Sequence, residues 1–384
     1  MSIRLRLLHP AWHPSFIDLP WNEPLEAWEH PRMVEAPTGI HRHIVRFVDY
    51  DGQVYVLKEL GRRPALREFR LLKAMNELGL PVVRMVGIAE RPDLDPVIIT
   101  RFLNHALPYR YVLAETEIEP EEVVRSIAAL LAQLHVSGFS WGDCSLSNSM
   151  VRRDAGRLSA YALDTETGEM HARLTSGQRE ADLDVAYENI AGGLADLWAA
   201  GALSEDADPF DLADRFVEEY WRVWRGLYQD RPVPGPGPTS LEDLHELGFD
   251  VLEASVTIDA DGARLVPLTI GEGHHRRELH RLTGLVAREH QARILIEDIR
   301  TYRPDLDLEQ AAHRWLADVY DTVLSGVPDE HRTKLEPAQL VIEVLAHRQR
   351  RSSDDRSAGL ADAVVDYVSR GLAGRPDERV VVEP

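Results

Sequence analysis

The stretch "FSWGDCSLSNSMV", residues 139–151, places Asp143 and Asn148 in a short polar segment behind an apolar, aromatic approach. Two side chains of these types at this spacing admit two readings. Asp and Asn bond their own backbone in turns, which is plain loop chemistry. The same pair also suits a phosphoryl-transfer site, the carboxylate as base and the amide oxygen as metal ligand. Further along, Asp164 and Glu166 stand in "LDTETGE", directly after an apolar run. Upstream, Lys58 closes the run "QVYVLKEL" and Glu68 lies in "PALREFRLLKAMNELG". A lysine at a strand end beside a glutamate on the next helix can hold an ammonium group where phosphate oxygens would meet it.

The elements that carry these residues are legible from periodicity. "RMVEAP", "HIVRFVDY" and "QVYVLKEL" read as strands, with Asp-Gly in "DYDGQ" as a hairpin turn between the last two. "PALREFRLLKAMNELG" has helical spacing at Leu66, Phe69, Leu72 and Met75, with Pro64 near its start and Gly79 at its end. "VVRMVGIAE" and "PVIITRFL" return to strand character, so five strands and one helix form an N-terminal lobe over residues 1–108. A helical lobe follows over 109–230. Its "EEVVRSIAALLAQLHVSG" puts Val123, Ile127, Leu130, Leu131 and Leu134 on one face, with acidic residues at the N-terminal end and Gly138 as a stop. "NSMVRR" and "LSAYALD" read as short strands joined by "DAG", and two long helices come next, on which Trp221 and Trp224 are expected in a core or an interface. "RPVPGPGP", residues 231–238, reads as a linker. A C-terminal α+β domain over 239–349 opens with the hairpin "DVLEASVTID"/"ARLVPLTI", and residues 350–384 read as a polar tail with one helix.

Composition narrows the function classes. The formal charge of −21 over 384 residues disfavours general binding to nucleic-acid phosphates. The single cysteine, Cys144, excludes an intrachain disulfide and fits a reducing compartment. No stretch approaches the roughly 20 apolar residues of a membrane span. The opening "MSIRLRLLHPAWHPSF" lacks the apolar core and small-residue cleavage site of a signal peptide. Together these features predict a cytoplasmic protein.

The segment "QLHVSGFSWGDCSLSNSM" resembles the helix end and catalytic loop of the protein-kinase-like superfamily, including its Asp-x-x-x-x-Asn spacing. "YVLKEL" resembles the superfamily's lysine strand, and "LDTE" stands at its Asp-Phe-Gly position. The short loop and the Gly-Asp pair favour the lipopolysaccharide and small-molecule kinase branch. On "LPWNEPLEAW", "WGDCSLSN", "DTETGE" and "GHHRRELHRLTGL", nearly the whole chain is also similar to an actinobacterial family labelled domain of unknown function 4032.

The resemblance implies an α+β fold: two kinase-like lobes with an additional C-terminal α+β domain. It implies an ATP- and Mg2+-dependent phosphotransferase with an unknown hydroxyl acceptor, a small molecule or a macromolecule. Asp143 would orient or deprotonate the acceptor, and Asn148 and Asp164 would hold magnesium with help from Glu166. Lys58 would contact the nucleotide phosphates and Glu68 would pair with it. Asp182 or Asp184 would buttress the catalytic loop, or else simply favour a helix N-terminus.

Departures from the pattern sustain an alternative, a nucleotide-binding pseudokinase whose C-terminal domain binds a partner protein. Trp141 and Gly142 replace the usual histidine and arginine, so control by loop phosphorylation is not expected. The phosphate-covering segment "APTGIHRHI" has one glycine, Gly39, so Arg42, His41 or His43 would supply side-chain donors instead. A separate candidate is "GEGHHRRELHR", whose His274, His275, Arg276 and Arg277 at a helix start suit an anion, or are an exposed basic first turn. Its histidines match no standard zinc spacing. A module binding anions or nucleic acid through this segment is the third reading, and the net charge weighs against it.

Overall fold

The structure is a computed structural model that describes residues 2–34, 43–115, 118–204, 206–228, 231–233, 249–259, 262–352 and 359–377. Gly39, His41 and Arg42, and residues 234–238 of the expected linker, lie outside the described residues.

Strand pairing begins with the hairpin of β3 (Val45–Tyr50) and β4 (Gln53–Glu59), which closes with Tyr50 opposite Gln53. Its two loop residues, Asp51 and Gly52, take φ of 54° and 81°, the left-handed pair that a two-residue turn of native twist requires. The full sheet has six strands in the order β1-β5-β6-β4-β3-β2, with β1 at Arg4–Leu7, β2 at Met33–Val34, β5 at Arg84–Glu90 and β6 at Val97–Arg101. One strand more than periodicity predicts is present: β1 pairs with the edge of β5, where Arg4–Leu7 is too short for alternation to show.

Each side of this sheet is covered by a different element. Phe16, Leu19, Trp21, Leu25 and Trp28 pack with Tyr55 and Leu57 of β4 in one core cluster. Side chains alternate along a strand, so Lys58 stands opposite to Leu57. That orientation turns it toward helix α1 (Arg62–Glu77), which buries Ala65, Glu68, Phe69, Leu72 and Met75.

The helical part contains α2 (Tyr109–Glu115), α3 (Pro120–Val136), α4 (Ser176–Ala199) and α5 (Pro209–Tyr228). Between α3 and α4 run β8 (Phe139–Ser140), β9 (Ser149–Asp154), β10 (Arg157–Ala162) and β11 (Glu169–Met170). A two-residue strand β7 (Leu107–Pro108) pairs with β9. Backbone bonds from Val83 to Ala162 and from Ala162 to Pro81 tie the end of β10 to the chain entering β5. Thr175 caps α4 by a capping box with Gln178.

The described chain divides into two compact units. The first comprises Met1–Val151 and Ala160–Tyr220, the second Arg152–Ser159 and Trp221–Arg379. Within the second, β12 (Arg231–Val233) pairs with β14 (Gly262–Glu272), which pairs in turn with β13 (Phe249–Asp259). Arg231–Val233 was expected to be linker. Pairing with β14 overrides the Pro-Gly signal there, as an edge strand tolerates one proline. Helices α6 (His274–Thr283), α7 (Glu289–Tyr302), α8 (Leu308–Trp315), α9 (Asp321–Gly326), α10 (Asp329–Arg332), α11 (Pro337–Ser352) and α12 (Leu360–Tyr367) follow, around a core that includes Leu295, Ile299, Trp315, Val341 and Val364. Trp221 and Trp224 are half-buried rather than core residues.

Candidate active site

Lys58 is the hinge of the charged cluster. Its ammonium lies 2.9 Å from Asp164 Oδ2, 3.4 Å from Glu68 Oε2 and 3.9 Å from Glu166 Oε2. The lysine–glutamate pair expected from strand and helix therefore forms, its members only ten positions apart in sequence, because α1 begins three residues after β4 ends. The nearer partner is Asp164, more than a hundred residues away in sequence. Burial opposes the Lys58 charge, yet the carboxylates of Glu68 and Asp164 outweigh it and raise its pKa. Burial pushes Glu68 the other way from its usual range, up to about 7, against the pull of Lys58.

One oxygen each from Glu68, Asp164 and Glu166 lies within 4.8 Å of the other two. Asp164 Oδ1 accepts the Glu166 amide at 3.0 Å, which orders the short turn after β10. Glu166 Oε2 is buried and accepts no hydrogen bond, though His43 approaches it to 3.3 Å. Three carboxylates share one lysine here, with an orphaned oxygen among them. That hard, over-negative oxygen set fits magnesium. The cluster adds Glu68 to the expected Asp164 and Glu166, while Asn148 engages Asp143 through its amide nitrogen and keeps its amide oxygen for a ligand role.

Asn148 Nδ2 donates to Asp143 at 2.8 Å to Oδ2 and 3.0 Å to the main-chain oxygen. The two residues thus do what loop chemistry predicts, and the bond fixes the carboxylate as a base would need. The loop is joined to the strand end at Leu163–Asp164 by two bonds. The indole N–H of the fully buried Trp141 donates to the Asp164 carbonyl at 2.7 Å, and the Leu163 amide donates to the Asn148 carbonyl at 2.9 Å. Asp143, Asn148 and Asp164 are accordingly held in one backbone framework.

Of the two candidate buttresses, Asp182 is buried and Asp184 is exposed. Asp182 accepts the amides of Trp141 at 2.6 Å and Gly142 at 2.7 Å, the Ser140 hydroxyl at 3.1 Å and His135 Nε2 at 3.0 Å. The other ring nitrogen of His135 lies 2.7 Å from the Tyr220 hydroxyl. Gly142 takes φ of 74°, a conformation that a side chain would strain, and this lets both amides converge on one carboxylate. Beside it, Cys144 is fully buried, and its thiol is pushed well up by burial and then by Asp182 and Asp143. It is an inert core thiol.

Sequence reasoning missed three contacts. Asn189 of α4 donates to Asp143 Oδ1 at 3.1 Å. Arg67, the neighbour of Glu68 on α1, donates to the Gly168 carbonyl at 2.8 Å and to Glu169 at 3.2 Å. His43 faces Glu166 and was named only as one of several phosphate donors. These are long-range pairings that local periodicity cannot register. The position of Asn189, two helical turns beyond Asp182, was the one available signal.

The "GEGHHRRELHR" segment does start a helix, but its N-terminal amides are occupied. Glu289 of α7 accepts the His275 amide at 2.9 Å, the His275 ring at 2.8 Å and the Arg276 amide at 3.1 Å. The carboxylate of the chain itself stands where the anion was expected. A separate concavity of about 580 Å³ lined by Glu59, Arg62, Glu90 and Arg91 takes Glu59, which alternates away from Lys58 along β4, and lies apart from this chemistry.

A strand lysine paired with a helix glutamate, an Asp-x-x-x-x-Asn loop held by a helix aspartate, and a strand-end aspartate beside the lysine define a protein-kinase-like arrangement. In agreement, residues 52–199 match the lipopolysaccharide kinase (Kdo/WaaP) family, and residues 239–372 match a domain of unknown function, DUF4032. Residues 52–199 are thus similar to the lipopolysaccharide-kinase branch and residues 239–372 to DUF4032, each match covering less than half of the chain. Of the four motifs that resemble the second family, "GHHRRELHRLTGL" falls in its matched range. Among solved structures, the chain is similar to "WaaP in complex with acyl carrier protein" at 18% identity, over 64% of this chain and 94% of that one, with a TM-score of 0.39. It is also similar to "Crystal structure of Rad53 kinase domain and SCD2" at 15% identity, over 50% of this chain and 71% of that one, with a TM-score of 0.32. No curated protein matches the chain. Among the described residues, no helix is long and apolar enough to cross a membrane.

Proposed function

We propose that the first unit is an ATP- and magnesium-dependent phosphotransferase acting on a hydroxyl acceptor, in a cytoplasmic protein. The observation that carries this reading is the shared oxygen cluster of Glu68, Asp164 and Glu166 around Lys58. A magnesium ion held here would supply positive charge against the negative charge that develops on the transferred phosphoryl group. Asp164 and Glu166 would hold it, with the amide oxygen of Asn148 as the further ligand. Lys58, kept charged by its carboxylate neighbours, would meet the phosphates. Glu68 holds Lys58 in place from α1. Asp143, set by its amide donors, would orient the acceptor hydroxyl and take its proton. Trp141 fixes the spacing between base and metal ligand through the Asp164 carbonyl. Such a site works by positioning and electrostatics, with little covalent chemistry for the protein to do.

Calorimetry with ATP in the presence and absence of magnesium tests the reading, followed by a phosphate-release assay. Binding that requires magnesium, with slow release of phosphate to water, is the expected result. Tight binding with no hydrolysis or transfer to any acceptor would make the chain the nucleotide-binding pseudokinase instead. Absence of binding under either condition would end both readings.

Glu68→Gln is expected to be the mild variant of the cluster. Lys58 keeps Asp164 and Glu166 as partners, so kcat/KM should fall by about tenfold or less, measured by steady-state kinetics. A loss as large as that from Asp164→Ala would show that Glu68 is itself an essential metal ligand.

A further inference from the structure

We propose that Asn189 is a positioning residue for Asp143, an assignment that rests on the phosphotransferase reading above. The two oxygens of the Asp143 carboxylate have different amide donors: Asn148 on Oδ2 at 2.8 Å and Asn189 on Oδ1 at 3.1 Å. Asn148 belongs to the same loop as Asp143 and moves with it. Asn189 belongs to α4, so its bond references the carboxylate to the rigid body of the unit. Rotation about the Cβ–Cγ bond moves both oxygens together, so with a donor on each oxygen any turn of the carboxylate gives up two hydrogen bonds rather than one.

The helix face around Asn189 supports the same conclusion. Asp182 lies two turns earlier on α4 and grips the loop backbone through the amides of Trp141 and Gly142. Gly193 lies one turn later, where an added Cβ would stand 3.1 Å from Leu146 of the loop. One stripe of α4 therefore touches the loop at Trp141–Gly142, at Asp143 and at Leu146. Asparagine is a poor helix former, because its amide competes with the backbone for hydrogen bonds. Its place in the interior of α4 is explained by the bond it makes to Asp143. The donor is a neutral amide, which orients the carboxylate while leaving its remaining lone pairs available to an acceptor proton.

Steady-state hydrolysis of magnesium–ATP, with water as the acceptor, tests the assignment on the full chain. Asn189→Ala should lower kcat by about 10- to 100-fold, the scale of a misplaced reacting group. KM for ATP should stay within about twofold, because the nucleotide does not meet Asn189. The thermal midpoint should stay at the wild-type value. Asn189→Asp should be slower still than Asn189→Ala, since it sets a like charge against Asp143; a merely structural role would not produce that order. If Asp143→Ala slows the enzyme and Asn189→Ala does not, the assignment is wrong and the phosphotransferase reading stands. If kcat, KM and thermal midpoint all fall together, Asn189 is only a packing residue and the assignment is wrong. If the wild-type chain releases no phosphate, the phosphotransferase reading falls and takes the assignment with it.

Discussion

Asp143→Ala is expected to keep nucleotide affinity and lose turnover, whereas Asp164→Ala loses both. The separation follows from what each carboxylate touches. Asp164 contacts Lys58 at 2.9 Å and shares the oxygen cluster with Glu68 and Glu166, so on the proposed reading its loss would remove a metal ligand as well as a counter-charge of the lysine. Among the described residues, the Asp143 carboxylate takes amide donors from Asn148 and Asn189, and on the proposed reading it would meet the acceptor rather than the metal. Removing a positioned general base costs about 10²- to 10⁴-fold in rate. Calorimetry should therefore show Asp143→Ala binding magnesium–ATP within about twofold of wild type. Its phosphate release should be near background. Asp164→Ala should lose the magnesium dependence of binding as well. Equal affinity of wild type and Asp164→Ala, with and without magnesium, would remove Asp164 from the metal. Equal weakening by both variants would collapse the division of roles.

The parts of this site that local pattern encodes were legible in the sequence. Strand alternation and a short β4–α1 connection put Lys58 and Glu68 face to face, and the Asp-x-x-x-x-Asn spacing marked Asp143 and Asn148. The Asp-Gly signal at 51–52 became the expected two-residue turn. What stayed hidden depends on chain segments far apart. Asn189 reaches Asp143 across 46 residues, and Glu289 reaches the α6 amides across 14 or 13. Neither partner carries a local mark. The occupied helix start is instructive: free amides at an N-terminus attract any anion, and the nearest one is a glutamate of the same unit. The N-terminal motif "LPWNEPLEAW" likewise carries no strand or helix signal, yet Leu19, Trp21, Leu25 and Trp28 supply four of the thirteen buried residues of one core cluster.

The segment between Asp164 and α4 is short and closely packed. It holds no long loop: β11 pairs with β8 at Met170–Phe139 and Glu169–Ser140, and α4 starts at Ser176. A Cβ on Gly168 would stand 2.1 Å from the Phe139 ring, so the turn fits only as glycine. Arg67 bonds the same turn from α1. Arg67 thus ties the helix bearing Glu68 to the turn following Asp164.

The other large effect is expected from Asp182→Ala, and it should appear first as lost stability. Asp182 accepts two main-chain amides, one hydroxyl and one imidazole nitrogen, all at a buried site. Truncation leaves those donors without an acceptor, and breaking such a buried charged network costs about 3–5 kcal/mol. For a unit of this size that lowers the thermal midpoint by about 10 °C or more. The pH dependence has a definite sign. Burial works to raise the Asp182 pKa, but the bonds from His135 and the Gly142 and Trp141 amides outweigh it and hold the carboxyl below its usual range. A depressed folded pKa contributes stability above the unfolded value, near 3.8, and that contribution is lost as pH falls through the folded value. Denaturant unfolding of wild type and Asp182→Asn should therefore differ most at neutral pH and converge only as pH falls through the folded value, below 3.8. Because the same amides shape the loop of Asp143, turnover should fall in both variants even at temperatures where they remain folded. A variant at Asp182 with wild-type melting and wild-type turnover would mean that the loop is held by its own turns, with α4 a bystander.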